Sequence, residues 1–123
     1  MSARIVGYDT LMKVELLEAS DTHYTSSMKF DKCTGEVCVL IVLTGTGTGT
    51  ITQQCSMNDV NWYDPVNASG SAVGTVCTAK AATTGTWISY SRVMSPYIRF
   101  KVVEAGGAAT TTVTLTLIFQ EER

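Results

Sequence analysis

A two-residue alternation of apolar and polar side chains dominates the chain and predicts β-strands along most of its length. The clearest example is TTTVTLTLIFQ, residues 110 to 120. Successive side chains of a strand point to opposite faces, so one face of this segment carries only threonines in its central part. The opposite face carries Val113, Leu115, Leu117 and Phe119. We expect the apolar face to pack on a core and the face with Thr112, Thr114 and Thr116 to meet water or another chain.

The segment SPYIRFKVVEA, residues 95 to 105, repeats this alternation. It predicts a strand with Ile98, Phe100 and Val102 inward and with Arg99 and Lys101 outward. The stretch AGGAAT, residues 105 to 110, then separates it from the threonine-rich strand. Its two adjacent glycines can adopt positive φ, which predicts a hairpin loop that pairs the two strands.

A second hairpin is predicted for VCVLIVLTGTGTGTITQQCS, residues 37 to 56. Residues 37 to 43 are apolar on both faces, which is typical of a central strand covered on both sides. The Thr-Gly tract would turn the chain. A turn centred on Thr46-Gly47, one of several registers, places Cys38 opposite Cys55.

Weaker strand patterns occur at residues 24 to 31, 74 to 80 and 86 to 92. Residues 8 to 19 fit a short helix by the spacing of Leu11, Val14 and Leu17. They also fit a strand by the spacing of Met12, Val14 and Leu16. We expect residues 1 to 22 to form an N-terminal strand or arm. The pattern predicts one all-β domain over residues 1 to 123, an antiparallel jelly-roll-like β-sandwich of about seven to eight strands, with an open barrel as the second architecture.

Composition narrows the classes of function. Only 16% of the 123 residues are charged and the formal net charge is -2, without a basic stripe. We therefore expect neither a nucleic-acid partner nor a membrane partner. The run of charges at Asp9, Lys13 and Glu15 interrupts any apolar export signal, which indicates a protein made and folded in a host cytoplasm. The glycosylation pattern at residues 67 to 69 is then a chance match.

Four cysteines, Cys33, Cys38, Cys55 and Cys77, match a disulfide set by number. In a cytoplasmic product they are more often reduced and buried, so we expect unreactive thiols. Metal sites favour paired cysteines or cysteines with histidines, and His23 is the only histidine. The sequence therefore predicts no metal and no cofactor.

Catalytic chemistry has few candidates. His23 is the only side chain with an ordinary pKa near neutrality, and its polar surroundings favour an exposed or capping role. Asp59 and Asp64 could form a carboxylate pair, but acids beside a turn more often cap backbone N–H groups. The Thr-Gly tract has no following helix to complete a phosphate cradle. We therefore predict a protein without enzymatic activity and nominate no catalytic residue.

The stretch SMNDVNWYDP, residues 56 to 65, contains Trp62, one of two tryptophans. An isolated tryptophan after a polar cluster is either a sugar-binding platform on a loop or a core plug beneath a turn. Tyr63, Trp87 and Tyr90 could add exposed aromatic surface, but the sequence pattern shows no cluster of them on one face.

From residue 37 to 119 the order of motifs resembles a known family. The segments VLIVLTGTGTGTITQQCSMNDVNWYDP and TWISYSRVMSPYIRFKVVEAGGAATTTVTLTLIF are similar to small β-sandwich structural proteins in the virions of tailed bacteriophages. Discoidin-like sandwiches share part of this pattern. Two departures are Asp59-Val60, where the family usually has Asp-Gly, and Ser95-Pro96 before Tyr97, where an arginine is frequent.

The resemblance implies that Trp62 plugs the end of the sandwich and that Arg99 on a neighbouring strand covers an indole or tyrosine face. It also implies a virion protein of the head decoration (cement), neck or tail type, with a major capsid protein or neck and tail components as partners. A symmetric homo-oligomer, by analogy a trimer, would follow. The alternative function is a carbohydrate-binding module, whose partner would be a glycan.

Overall fold

The computed structural model describes residues 4–30, 33–104 and 111–122. Its elements are seven β-strands, and the described residues contain no helix. The strands are β1 (Arg4–Leu17), β2 (Thr22–Tyr24), β3 (Met28–Lys29), β4 (Cys33–Ser56), β5 (Thr75–Tyr90), β6 (Tyr97–Glu104) and β7 (Thr111–Glu122). All pairings between them are antiparallel. The predicted all-β, jelly-roll-like fold class is confirmed.

The long strand β4 organises the sheet, whose order is β1-β7-β4-β6-β2. β7 pairs with the first half of β4 and β6 pairs with its second half. Both halves also pair with β5, which therefore follows the opposite side of β4. β6 and β7 consequently lie end to end along one side of the same strand.

The hairpin predicted for residues 37 to 56 is wrong, because β4 continues through the Thr-Gly tract. Cys38 and Cys55 therefore lie on opposite halves of one strand and do not face each other. Gly45 has a φ of 100°, which bends the strand there at little steric cost. At Gly47 a side chain would collide with the hydroxyl of Thr111, which accepts a hydrogen bond from the Gly47 N–H at 3.1 Å. The glycines thus serve a bend with close strand contact, and they do not form a turn.

The second predicted hairpin is also wrong in its pairing. The alternation in β6 and β7 is confirmed, since Ile98, Phe100 and Val102 are buried, as are Val113, Leu115 and Leu117. Yet among the described residues both strands pair with β4 and not with each other. The expected loop at residues 105 to 110 lies outside the described residues.

The N-terminal segment forms a strand over Arg4–Leu17, so the strand alternative is confirmed and the helix is wrong. The patterns at residues 74 to 80 and 86 to 92 belong to one continuous strand, β5. The strand expected at residues 24 to 31 is interrupted at Thr25. Its hydroxyl accepts a hydrogen bond from the Phe100 N–H at 2.9 Å and so replaces a ladder bond at the break.

The sheet curls so that its two halves share one core. Strands β1 and β7 with the first half of β4 contribute one wall, and β6 with the second half of β4 contributes the other. The two ends of the sheet meet where the Ser26 N–H donates to the Leu11 carbonyl at 3.1 Å. Burial of these apolar faces supplies most of the favourable free energy of folding. The core residues without measurable exposure are Leu17, Val37, Val39, Ile41, Ile51, Ile98, Phe100, Val102, Val113, Leu115 and Leu117.

Candidate interaction surface

The outer face of β1, β7, the first half of β4 and the second half of β5 carries uncharged side chains in two rows across four strands. The register places Thr10, Thr116, Leu40 and Trp87 in one row. It places Tyr8, Ile118, Cys38 and Ser89 in the next row. We call this four-stranded surface the bare face.

A groove of about 390 Å³ runs across the bare face. Tyr8 and Val6 form one rim and Trp87 forms the other, while Leu40, Ile118 and two threonines lie between them. The Thr10 and Thr116 hydroxyls share a hydrogen bond of 3.0 Å, so part of their hydrogen-bonding capacity is already used within the chain. Among the described side chains that line the groove, none is acidic or basic.

The rims of the groove are strongly exposed. Tyr8 is 76% exposed, Val6 70% and Trp87 62%. Single exposed apolar residues are ordinary on a protein surface, but a contiguous patch of large ones marks an interaction site. The bare face is therefore the candidate functional surface of the molecule.

The outer face of the other half of the sheet is built differently, around Arg99 on β6. Its guanidinium lies 4.1 Å from the centre of the Tyr24 ring and 4.5 Å from that of the Trp62 ring. A planar cation between two aromatic faces is attracted to both ring quadrupoles. The expectation that Arg99 covers an indole or tyrosine face is confirmed for both rings.

A polar chain continues from this stack. The Arg99 Nε donates to the Gln54 Oε1 at 2.8 Å, and the Gln54 Nε2 donates to the Asp64 Oδ1 at 2.8 Å. The Lys101 Nζ lies 4.0 Å from the other Asp64 oxygen. Gln54 is buried although it points outward from the sheet, because the segment after β4 folds back over it. We call this half of the outer surface the covered face.

The covering segment is shaped by its polar residues. The Ser56 hydroxyl accepts hydrogen bonds from the Asn58 and Asp59 N–H groups, and the Asn58 side chain accepts from two further N–H groups. Asp59 adopts a φ of 62°, which Asp tolerates better than most residues. A backbone bridge between Cys55 and Tyr63 closes the loop.

These contacts correct the interpretation of Trp62 as a core plug. Trp62 is half-buried and lies outside the core cluster, with Arg99 against its ring. The resemblance implies a plug at the end of the sandwich, whereas the loop after β4 brings Trp62 against Arg99 on the outer face of the sheet. Of the two acids considered for carboxylate chemistry, Asp64 pairs with Gln54, and Asp59 contributes a backbone N–H to the loop.

The remaining aromatic candidates separate clearly. Tyr63 is exposed beside a small surface pocket of about 140 Å³, together with Met57 and Met94. Tyr90 is buried, and its hydroxyl donates to the Gln53 Oε1 at 3.0 Å. Burial raises the pKa of the Tyr90 phenol far above its ordinary value. Only Trp87 among the sequence candidates contributes to the bare face.

His23 lies between two acids on the strands where the sheet ends meet. Its Nδ1 is 3.1 Å from a Glu15 oxygen and its Nε2 is 3.4 Å from Asp21. Among the described contacts it orients no serine or cysteine nucleophile. The absence of a catalytic residue remains a prediction.

The cysteines are free thiols at the three positions whose side chains are described, Cys38, Cys55 and Cys77. Each is only partly buried, whereas the sequence predicts buried thiols. Burial raises the pKa of Cys55 and Cys77. Among the side chains that the structure describes, no three His, Cys, Asp or Glu residues form a group that could hold a metal ion.

Sequence reasoning missed Tyr8, Val6 and Leu40 as members of one surface. The continuous apolar run at residues 37 to 43 predicts burial on both faces, whereas Leu40 lies on the bare face. Tyr8 belonged to a segment that also fitted a helix. The signal that could have found them is the two-residue spacing of Val6, Tyr8 and Thr10, once residues 4 to 17 are taken as a strand.

Comparisons with known proteins identify the fold. No family model and no curated protein matches the chain. The VP2 subviral particle of infectious bursal disease virus matches with a TM-score of 0.60 and 14% identity, over 96% of this chain and 33% of that chain. A mutant VP2 in T=1 particles gives a TM-score of 0.60 at 15% identity over 96% and 32% of the two chains. The structure of the virus's Gx strain gives 0.55 at 14% identity, over 96% and 32%.

The chain therefore shares its fold with a part of those solved chains and spans about a third of their length. At this identity the likeness concerns the fold alone. In the described part of the chain, no helix is long and apolar enough to cross a membrane.

Proposed function

We propose that the chain is a non-enzymatic structural protein of a virus particle and that it acts through contacts between subunits. The observation that carries the proposal is the bare face, where an apolar groove between Tyr8 and Trp87 is open to solvent. On the other half of the sheet, the chain covers its outer residues with its own loop. The bare face has no such cover and is available to another molecule.

The fold supports the same proposal. The solved chains with this fold form a subviral particle and T=1 particles of infectious bursal disease virus. Such assemblies depend on many weak, repeated contacts between identical folds. The likeness adds weight to a location in the virion and to virion proteins as partners.

The finer assignment rests on the resemblance in sequence to virion proteins of tailed bacteriophages. It favours a head decoration or cement protein, or a neck or tail component, made in the host cytoplasm and added to the particle. The uncharged threonine-rich face suits a protein that covers a shell built by other subunits.

The test is addition to particles. We expect the purified protein to bind undecorated capsids or tails in a fixed ratio to their subunits, measured by co-sedimentation, and to raise the temperature at which the particles open. A protein that stays monomeric at high concentration and ignores both capsids and tails contradicts the proposal.

A carbohydrate-binding module is the second candidate, because Tyr8 and Trp87 place two exposed aromatic rings on one face. Aromatic faces bind sugar rings, but a sugar also needs hydrogen-bonding groups. In the described lining of the groove these are the Thr10 and Thr116 hydroxyls, which are bonded to each other, together with the Tyr8 hydroxyl and the Trp87 indole N–H. A glycan array separates the candidates: specific binding lost in a folded Trp87→Ala variant, and kept in Trp62→Ala, would favour the module.

A further inference from the structure

The bare face has the shape and the charge of a surface that pairs with itself. We propose that a second copy of this chain docks on it, face against face about a two-fold axis, with Trp87 of each copy seated in the groove of the other. The proposal rests on the proposed structural role and names the partner of that surface.

Shape supports a second copy because one face carries both a projecting group and a receptacle. Trp87 is 62% exposed on β5, and the groove lies beside it toward Tyr8 on β1. Four neighbouring strands span about 14 Å between the outer Cα atoms. In an isologous contact the same patch is used by both copies. If Trp87 of one copy fits the groove of the other, the two-fold axis therefore repeats the same contact in the opposite direction.

Charge supports the same partner. The chain has a formal net charge of only -2, so the repulsion between two copies is weak and screened by salt, and an uncharged contact surface adds no like-charge contact to it. The two rows, and the groove lining as far as its side chains are described, contain no acidic or basic side chain. A partner selected by opposite charge would find nothing to pair with here, whereas the covered face presents Lys101 and Asp64.

The available area fits a reversible contact. A fully exposed tyrosine or tryptophan offers roughly 150 to 250 Å². At 76% and 62% exposure, Tyr8 and Trp87 therefore leave on the order of 300 Å² in solvent, and Val6 and the partly exposed threonines add to it. A specific interface buries roughly 800 Å² on each partner. The exposed area of the bare face is smaller than this, which suits a dimer that dissociates on dilution and is reinforced by repetition in a shell.

The test compares charge insertions on the two surfaces. We expect the full chain to sediment as a dimer at concentrations of about 100 µM, and we expect Trp87→Glu and Tyr8→Glu each to weaken association by about 30-fold or more. Met94→Glu is the matched control, since Met94 is exposed at 87% beside the other pocket. It should leave the dimer unchanged, and thermal unfolding should show that all three variants fold.

A monomer at high concentration, a trimer, or a dimer that survives both Trp87→Glu and Tyr8→Glu would overturn the two-fold pairing. The molecular mass from sedimentation thus distinguishes the proposed dimer from the trimer that the sequence resemblance implies. Binding to capsids by a monomer would leave the proposed function standing and remove this inference. Dimerisation through the bare face without binding to capsids or tails would do the reverse.

Discussion

The strand β4 contributes its first half to the bare face and its second half to the covered face. The two faces differ in chemical character, since one is apolar and exposed and the other is polar and covered by a loop. On the covered face Arg99 lies between Tyr24 and Trp62, and a hydrogen-bonded chain buries Gln54 under the chain's own loop. On the bare face the equivalent outer residues, such as Leu40, lie in an open apolar groove. The difference shows that the outer side chains of the covered face have partners within the chain, whereas the large apolar side chains of the bare face remain exposed to solvent.

The comparison also explains why the two tryptophans differ. Trp62 has a cation against its ring and a loop that holds it, so its role is within the chain. Trp87 is more exposed and has the groove beside it. A stability measurement should therefore respond to the covered face, and an association measurement to the bare face.

The largest expected effect is on the free energy of unfolding, and it distinguishes the core side from the outer side of the strands that carry the bare face. Leu117 is fully buried, so Leu117→Ala should lower the free energy of unfolding by about 2 to 5 kcal/mol. Trp87→Ala on the opposite side should change it by less than about 1 kcal/mol. Urea denaturation measures both. A Trp87→Ala loss as large as that of Leu117→Ala would show that Trp87 packs within the fold.

A somewhat smaller effect is expected at the centre of the covered face. Arg99→Ala removes two cation–π contacts and leaves the buried Gln54 carbonyl without its donor, so it should destabilise by about 2 to 4 kcal/mol. Arg99→Lys keeps the charge but loses the planar stack, and should recover only part of this. Equal stability of Arg99→Ala and the parent in chemical denaturation would contradict the stack's role.

Two glycines sharpen the comparison of covered and bare surfaces. At Gly74 a Cβ would lie 2.7 Å from the Gln53 carbonyl oxygen and from Pro65, so Gly74→Ala should destabilise by roughly 1 to 3 kcal/mol. At Gly85, on the bare half, the nearest atom would be a Leu40 methyl at 3.8 Å. Gly85→Ala should be neutral or slightly stabilising in thermal unfolding. The reverse order would show that the loop is not closely packed.

The smallest expected effect is an alkaline sensitivity of the free energy of unfolding, which arises from partly or fully buried groups of both halves. Burial raises the pKa of Cys55 and Cys77 above the ordinary 9.0 and raises that of Tyr90 as well. The unfolded chain then releases these protons first. The stabilisation is complete below about pH 9 and is lost as pH rises from there toward the raised values in the folded protein. Unfolding followed from pH 7 to 11 should show this decline, and Tyr90→Phe should reduce it.

Much of the fold could be predicted from the sequence because alternation reports which face of a strand is buried. The inward and outward residues of β6 and β7 follow it closely, from Ile98 to Leu117. Strand pairing could not be predicted in the same way. The Thr-Gly tract has the composition of a turn, and only the contact of Gly47 with Thr111 shows why the glycines belong to a bend in one strand.

The candidate surface was predicted only in part. The outward threonines of β7 are predicted to meet water or another chain, and Thr116 among them lies in the groove of the bare face. Tyr8 and Trp87 are far apart in the chain and become rims of one groove only through the pairing of β1 with β7 and of β4 with β5. Alternation within one strand carries no information about such neighbours across the sheet.

The most direct test of the bare face as a contact surface uses Cys38, a free thiol that lies in one of its rows. Maleimide labelling of the native protein, resolved by peptide mass, should be slow at high concentration and accelerate on dilution at Cys38. Labelling of Cys77, on the other half of β5, should not depend on concentration. Equal labelling of Cys38 at all concentrations, in a protein that sediments as a dimer, would place the contact elsewhere and contradict the account.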